Sequence, residues 1–356
     1  MNAITHKAIR AIPGPLRRAL AAAVGRWIAR LPEDVAANLA ARWLPPAVLR
    51  NKRYFHLWEA RGYHVTPVHY FEPIPDTRAL PETLWGDPER FARGVDFRLA
   101  DQLRRLREFR ASFGAEYNAF PRQPPAEGFE YFSDQRSFYA VDAEVLYCMI
   151  RRYRPRRVLE IGSGISSRVA ASALATNRRE HAGEPGRLIC VEPYPDEHLL
   201  RGQAEGRLEL RATPVQEEPL ETFEELRAGD ILFIDSTHVA RIGGDVEFLF
   251  LMVMPRLRPG VLVHVHDVFL PAEFRRDWVL EGKLFWNEQY LLHAFLQCNR
   301  EWEVLWAASC LHRRHPDALR EAFPVYDPAA HWPTSFWMRR VEPPENAAPA
   351  PAGGGA

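Results

Sequence analysis

The chain has 356 residues, 47% hydrophobic and 26% charged, enough for one large or two modest domains with a packed core. Lys+Arg and Asp+Glu both number 46, so no net field draws the protein to nucleic acid or to an acidic membrane, and a general nucleic-acid-binding role is disfavoured. No apolar run approaches the ~20 residues of a membrane span, and the N-terminus lacks the apolar region and small-residue cleavage site of a secretory signal.

In chain order, Pro15 to Leu31 mixes arginines with apolar residues at helical spacing. Such a helix packs on its own protein or rests peripherally on a membrane or partner. Prolines then break the chain repeatedly up to the aromatic loop from Tyr63 to Asp76, which is too stiff for a central strand. Residues 97–113 regain helical spacing through Leu99, Leu103, Leu106 and Phe109. Residues 1–115 therefore read as a helical and loop extension, with Tyr63, His64 and His69, and later Tyr131 to Asp134, placed to act as a lid.

Residues 116–341 read as the main domain. Helix 137–152, strand 157–161, helix 166–176, strand 188–192, helix 197–202 and strands 208–213 and 230–235 are followed by helix 244–256, strand 261–266, helix 287–298 and strands 302–307 and 335–339. This alternation predicts an α/β fold: a Rossmann-like, doubly wound, mostly parallel seven-stranded sheet with an N-terminal helical extension. Residues 342–356 (EPPENAAPAPAGGGA) bury nothing and are expected to be disordered. Cys148, Cys190, Cys298 and Cys310 form no C-x-x-C pair and fall in predicted helix or strand interiors, which fits a reducing cytoplasm.

The segment RVLEIGSGISS (157–167) is a strand running through two close glycines into a helix, the cradle for a nucleotide-like ligand. A dinucleotide site wants G-x-G-x-x-G, and the third glycine is absent. Downstream, DILFIDSTH (230–238) ends an apolar strand in D-x-x-H, and VLVHVHD (261–267) ends the next in H-D. Adjacent parallel strands bring Asp235 and Asp267 to the same carboxyl edge, about one ~5 Å strand spacing apart. Carboxylates that close need a proton or a metal between them, and the hard divalent cation Mg²⁺ suits them.

Glu160-x-Gly162-x-Gly164 resembles motif I of class I S-adenosylmethionine-dependent methyltransferases, with Ser166 where a further glycine is common. The D-x-x-H and H-D strand ends, together with Gly244-Asp245 and the PRLRPG turn (255–260), resemble the macrocin- and mycinamicin-type sugar O-methyltransferases over residues 155–310. The resemblance implies S-adenosylmethionine as cofactor, held by Glu160, Gly162, Ser163, Gly164, Glu192, Gln216 and Asp235. Glu192 would take the ribose hydroxyls and Gln216 the adenine. It further implies Asp235 and Asp267 as metal ligands and His238 as general base, with His266 where metal-binding members usually carry a second acid.

The chemistry agrees, since an alcohol attacking a sulfonium methyl must lose its proton, and an imidazole of pKa ~6.5 takes it. His266, Trp286 and Tyr290 are placed to line the pocket of a small-molecule acceptor, a sugar or glycosylated metabolite; packing in the core is the equal alternative for Trp286 and Tyr290. Asp245 reads either as part of this site or as a first-turn helix acid. The competing functions are an NAD-dependent oxidoreductase and a catalytically silent nucleotide-fold module that binds a partner.

Overall fold

The structure is a computed structural model that describes residues 15, 19, 23, 26, 27, 30–43, 46–49, 51–124, 128–135, 137–181 and 185–342. The proposed surface helix 15–31 and the tail beyond 342 lie largely outside the described residues. The chain divides into two compact units, Met1–Leu80 and Pro81–Ala356. Among the described residues no helix is long and apolar enough to cross a membrane.

The first unit holds helices α1 (Glu33–Trp43) and α2 (Phe55–Glu59) and the aromatic loop. In that loop His64 stacks on Phe55 at 5.0 Å, and Tyr63, Tyr70 and Phe71 are exposed.

The second unit begins with α3 (Leu99–Tyr117) and α4 (Asp142–Tyr153). Then come β1 (Arg157–Ile161), α5 (Ile165–Glu180), β2 (Arg187–Val191), α6 (Glu197–Ala204) and β3 (Glu209–Arg211). Helix α7 (Leu220–Glu224) leads to β4 (Ile231–Ile234), α8 (Asp245–Glu247) and β5 (Leu262–Val265). Helices α9 (Arg276–Leu280) and α10 (Glu288–Leu296) precede β6 (Trp302–Ala307), α11 (Ala308–Arg314), α12 (Pro316–Ala322) and β7 (Phe336–Arg340).

The seven strands lie in the order β3-β2-β1-β4-β5-β7-β6. Six run in one direction, and β7 inserts antiparallel between β5 and β6. Two short helices, α11 and α12, carry the chain back for that return, and Pro316 starts the second where its missing N–H costs nothing. Period-2 alternation explains the double cover. Leu159, Ile161, Leu232 and Ile234 face one cluster with Phe250, Val253 and Leu292, while Val158, Ile231 and Phe233 face another with Leu146, Ile150, Val169 and Phe109. The expected helix 244–256 is one helical stretch of changing pitch: α8 opens it, Phe248–Val253 widens to a π-helix, and Met254–Arg256 tightens to 3₁₀.

Helix α3 is built into this unit. Leu106, Phe109 and Tyr117 are buried, the Tyr117 hydroxyl donates to the Ala322 carbonyl at 2.7 Å, and the Ala307 N–H donates to Gln102 at 2.8 Å. Tyr131, expected in a lid, is a core residue whose hydroxyl donates to the Phe138 carbonyl at 3.1 Å. Cys298, expected in a helix interior, is exposed because α10 ends at Leu296.

Glu144 in α4 is buried with one carboxylate oxygen unpartnered among the described residues, and burial pushes its pKa up to about 7. An acid whose folded pKa lies above its unfolded 4.5 adds no penalty below that value; it costs stability progressively as pH rises toward 7, and in full above it. Glu144→Gln is expected to melt several degrees above the wild type at pH 8, at about 2–4 °C per kcal/mol for a domain this size. At pH 5 the gap closes; a pH-independent gap in thermal unfolding contradicts this account.

Candidate functional site

The parallel ladder fixes the carboxyl edge of the sheet. Gly162 donates its N–H to the Val191 carbonyl (3.1 Å), Asp235 to Ile161 (2.9 Å), Glu192 to Arg211 (3.0 Å) and His266 to Ile234 (2.9 Å). The residues just past β1, β2, β4 and β5 therefore emerge side by side. Gly162 turns the chain there with φ +76°, and a Cβ on it would run into the Asp235 carbonyl oxygen. Gly164, at φ −174° and ψ −123°, starts α5, and a Cβ there would meet nothing within 4 Å among the described residues.

A cleft of about 410 Å³ opens at this edge, lined by Gly162, Glu192, Tyr194, Gln216, Asp235, Thr237, Arg241 and Asp245 among others. The Glu192 carboxylate accepts from the Tyr194 N–H at 2.9 Å and the Ser163 N–H at 3.3 Å, which ties the glycine turn to the end of β2. Gln216 reaches across to the Gly243 carbonyl at 3.1 Å. Asp245 accepts from the Thr237 N–H and hydroxyl at 2.8 and 2.7 Å, so this first-turn acid pins the loop that follows β4.

Glu160, expected among the cofactor contacts, does not line this cleft. Alternation along β1 turns it to the opposite face from Leu159 and Ile161, where it accepts from the Ser166 and Ser167 hydroxyls at 2.5 and 2.6 Å. Burial pushes it up to about 7 against the pull of those bonds. It braces the first turn of α5 from beneath.

Asp235, His238 and Asp267 form one cluster whose ligand atoms all lie within 4.8 Å of one another. His238, in the left-handed region at φ +60°, places Nε2 3.4 Å from Asp235 Oδ1 and 3.5 Å from Asp267 Oδ2, while Nδ1 lies 2.9 Å from Glu288 Oε2. Burial opposes protonation of this ring. The hydrogen bonds that the ring makes to Asp235 and Glu288 and the surrounding negative charge outweigh it, so the pKa of His238 is held well above the ordinary histidine range. Burial would raise Asp235, but His266 and His238 lower it; at Asp267 burial wins and the carboxyl is raised. The His238 ring stands between the two strand-end acids, within 3.5 Å of each.

Glu288 was not legible as a site residue. It reaches His238 because the His238 carbonyl accepts the N–H groups of Asn287 (3.1 Å) and Glu288 (3.2 Å), tying the loop after β4 to the start of α10. Thr334 was also missed: its hydroxyl donates to Asp267 Oδ1 at 3.1 Å.

Of the residues expected around an acceptor, Trp286 lies beside the cluster, with its ring 4.4 Å from His238. His266 is buried on the helix-covered face of β5, 3.3 Å from His264 and against Phe138, because strand alternation sends both histidines the same way. Tyr290 donates to Glu273 at 2.7 Å and packs edge-on against Phe91 and Phe274, apart from the cluster's own contacts.

Residues 159–268 match the family model described as a methyltransferase domain, a span running from one residue before Glu160 to one residue after Asp267. An uncharacterized protein of Archaeoglobus fulgidus is 30% identical over 166 residues, 45% of this chain and 72% of that protein, and the chain belongs to its family. The chain also has a likeness to the solved structure of the plantazolicin methyltransferase BamL in complex with a triazolic desmethylPZN analog and SAH. That likeness has 14% identity and a TM-score of 0.33, covering 56% of this chain and 82% of the other.

Proposed function

We propose that the methyltransferase domain uses S-adenosylmethionine to methylate a hydroxyl of a small-molecule acceptor, of the sugar or glycosylated-metabolite kind suggested by the macrocin- and mycinamicin-type likeness. One observation carries the reading. Asp235 lines the 410 Å³ cleft and at the same time stands 3.4 Å from His238, so the donor cleft and the proton-handling cluster share a wall.

When bound, the donor supplies an electrophilic sulfonium methyl. Glu192 offers its carboxylate toward a ribose, and the turn at Gly162 and Ser163 brings backbone close to the ligand. His238 takes the acceptor's proton at Nε2 once its own resting proton has left. Glu288 holds the other ring nitrogen and so fixes which nitrogen faces the reaction. Asp235 and Asp267 are a suitable carboxylate pair for a hard divalent cation such as Mg²⁺; they would hold it, and when bound it would supply Lewis acidity that lowers the pKa of an acceptor hydroxyl.

Glu192→Ala tests the donor side. It removes one acceptor for a ligand and frees the Ser163 N–H, and hydrogen bonds to charged groups are worth about 1.5–3 kcal/mol. Calorimetric affinity for S-adenosylhomocysteine is expected to fall at least about tenfold with the melting temperature little changed. Unaltered affinity takes Glu192 out of the site.

A further inference from the structure

A second cleft, of about 290 Å³, opens beside the loop that leaves β5 and is walled by Trp85, Arg275, Arg276, Arg313 and Trp332 among others. Most of its charges are already matched. Arg275 grips both oxygens of Asp277 at 2.9 and 2.7 Å, Arg276 holds Glu82 at 2.8 Å, and Glu273 accepts from Tyr290 and from the Phe274 N–H. Arg313 is different: among the described residues it enters no ion pair, and its Nε is shut from solvent without an acceptor.

The guanidinium carbons of Arg313 and Arg275 lie 4.9 and 5.1 Å from the centre of the same Trp332 ring, so two cations share one aromatic support. Among the described residues the Trp332 indole N–H also lacks an acceptor. His312, whose ring is 4.5 Å from Trp332, is driven down to about 4 by burial and by the charges of Arg313 and Arg275, which registers the positive field. Glu89 lies near enough to act on Arg313 but is held by Arg314; a half-buried guanidinium without an ion-pair partner of its own is costly to keep, and a bound oxyanion lowers that cost.

Three connections join this cleft to the Asp235–His238–Asp267 cluster. The chain runs directly from Asp267 to Arg275. Trp332 stands two residues, at most about 7 Å of chain, from Thr334, whose hydroxyl meets Asp267. Trp278, in the helix that Arg276 begins, packs edge-on at 5.3 Å against Trp286, the neighbour of His238. We infer that this cleft is the subsite for a carboxylate or phosphate group of the methyl acceptor, with Arg313 as its principal ligand and Arg275 as the second. The inference rests on the methyl-transfer reading for the identity of the ligand, and on the cleft itself for the anion.

The full-length protein is titrated calorimetrically with inorganic phosphate at an ionic strength matched with chloride, and in parallel with S-adenosylhomocysteine. Phosphate is expected to bind one site. Arg313→Gln should weaken it at least about tenfold, Arg313→Lys should retain most of it, and both variants should hold S-adenosylhomocysteine as the wild type does. Phosphate binding no stronger than that of chloride, or equal in Arg313→Gln, overturns the subsite.

A metabolite extract treated with the enzyme and methyl-labelled S-adenosylmethionine should then yield labelled product retained on a strong anion exchanger. Release after phosphatase treatment marks a phosphate ester, and retention marks a carboxylate. Labelled product that passes unretained overturns the inference while leaving methyl transfer intact. Arg313-dependent phosphate binding without any S-adenosylhomocysteine binding supports the anion site and removes the methyl-transfer reading instead.

Discussion

Replacing His238 by asparagine is expected to lower kcat by about 10²–10⁴, the usual contribution of a positioned acid–base group, while affinity for S-adenosylhomocysteine stays within a few-fold of the wild type. Asparagine is the better choice over alanine because residue 238 sits at φ +60°, which Asn tolerates and most side chains do not. The loss of a buried cation ordinarily strands its partners. Here Glu288 and Asp267 are both already raised by burial, so they can take up protons and keep the fold, at some cost in stability.

The raised pKa of His238 adds a sign to the pH dependence. A base must be unprotonated to act, and His238 is held well above the ordinary histidine value, so kcat/KM should climb as pH rises above neutral. Because the raised pKa reflects a stabilised charged form, the stability this histidine contributes runs the other way: full below its unfolded pKa, and lost as pH rises through the folded one. Activity that is flat across that range, or retained in His238→Asn, would make the residue a structural counter-ion to Asp235 and Asp267 and nothing more.

What sequence could disclose about this site follows from what strands encode locally. Apolar runs ending in Gly162, Glu192, Asp235 and Asp267 carry their own register, because in a parallel sheet every such end falls on one edge; the structure brings Gly162, Glu192 and Asp235 to one cleft and Asp235 and Asp267 to one histidine. Period-2 alternation also contained the position of Glu160 and of His266, both of which belong with residues that face covering helices.

Glu288 was another matter. It stands 50 residues from His238 at the start of a helix, where any acid is favourable to the macrodipole, and only the two N–H bonds to the His238 carbonyl bring it into the site. Strand direction was equally silent. The FWMRR run of β7 looks like its parallel neighbours, and its reversal depends on two seven-residue helices, α11 and α12, that hydrophobic spacing did not separate from a loop.

Gly162→Ala is expected to damage stability and ligand affinity together. A non-glycine residue at φ +76° costs about 1–2 kcal/mol in backbone conformation alone. The added methyl also meets the Asp235 carbonyl oxygen, which is backbone and cannot swing aside. Relief requires β1 and β4 to part where Asp235 donates to Ile161, and that movement draws Asp235 from His238 and Ser163 from Glu192.

The melting temperature should fall by several degrees, at about 2–4 °C per kcal/mol, and S-adenosylhomocysteine affinity by more than about tenfold. Gly164→Ala separates the two causes. A Cβ at residue 164 meets nothing within 4 Å among the described residues, so the added methyl clashes with no protein atom, and a loss of affinity there without a matching loss of stability reports a ligand pressed against the chain. If Gly162→Ala melts and binds as the wild type does, the close approach of β1 and β4 does not shape the cleft. If Gly164→Ala binds unchanged, the ligand does not lie along the start of α5.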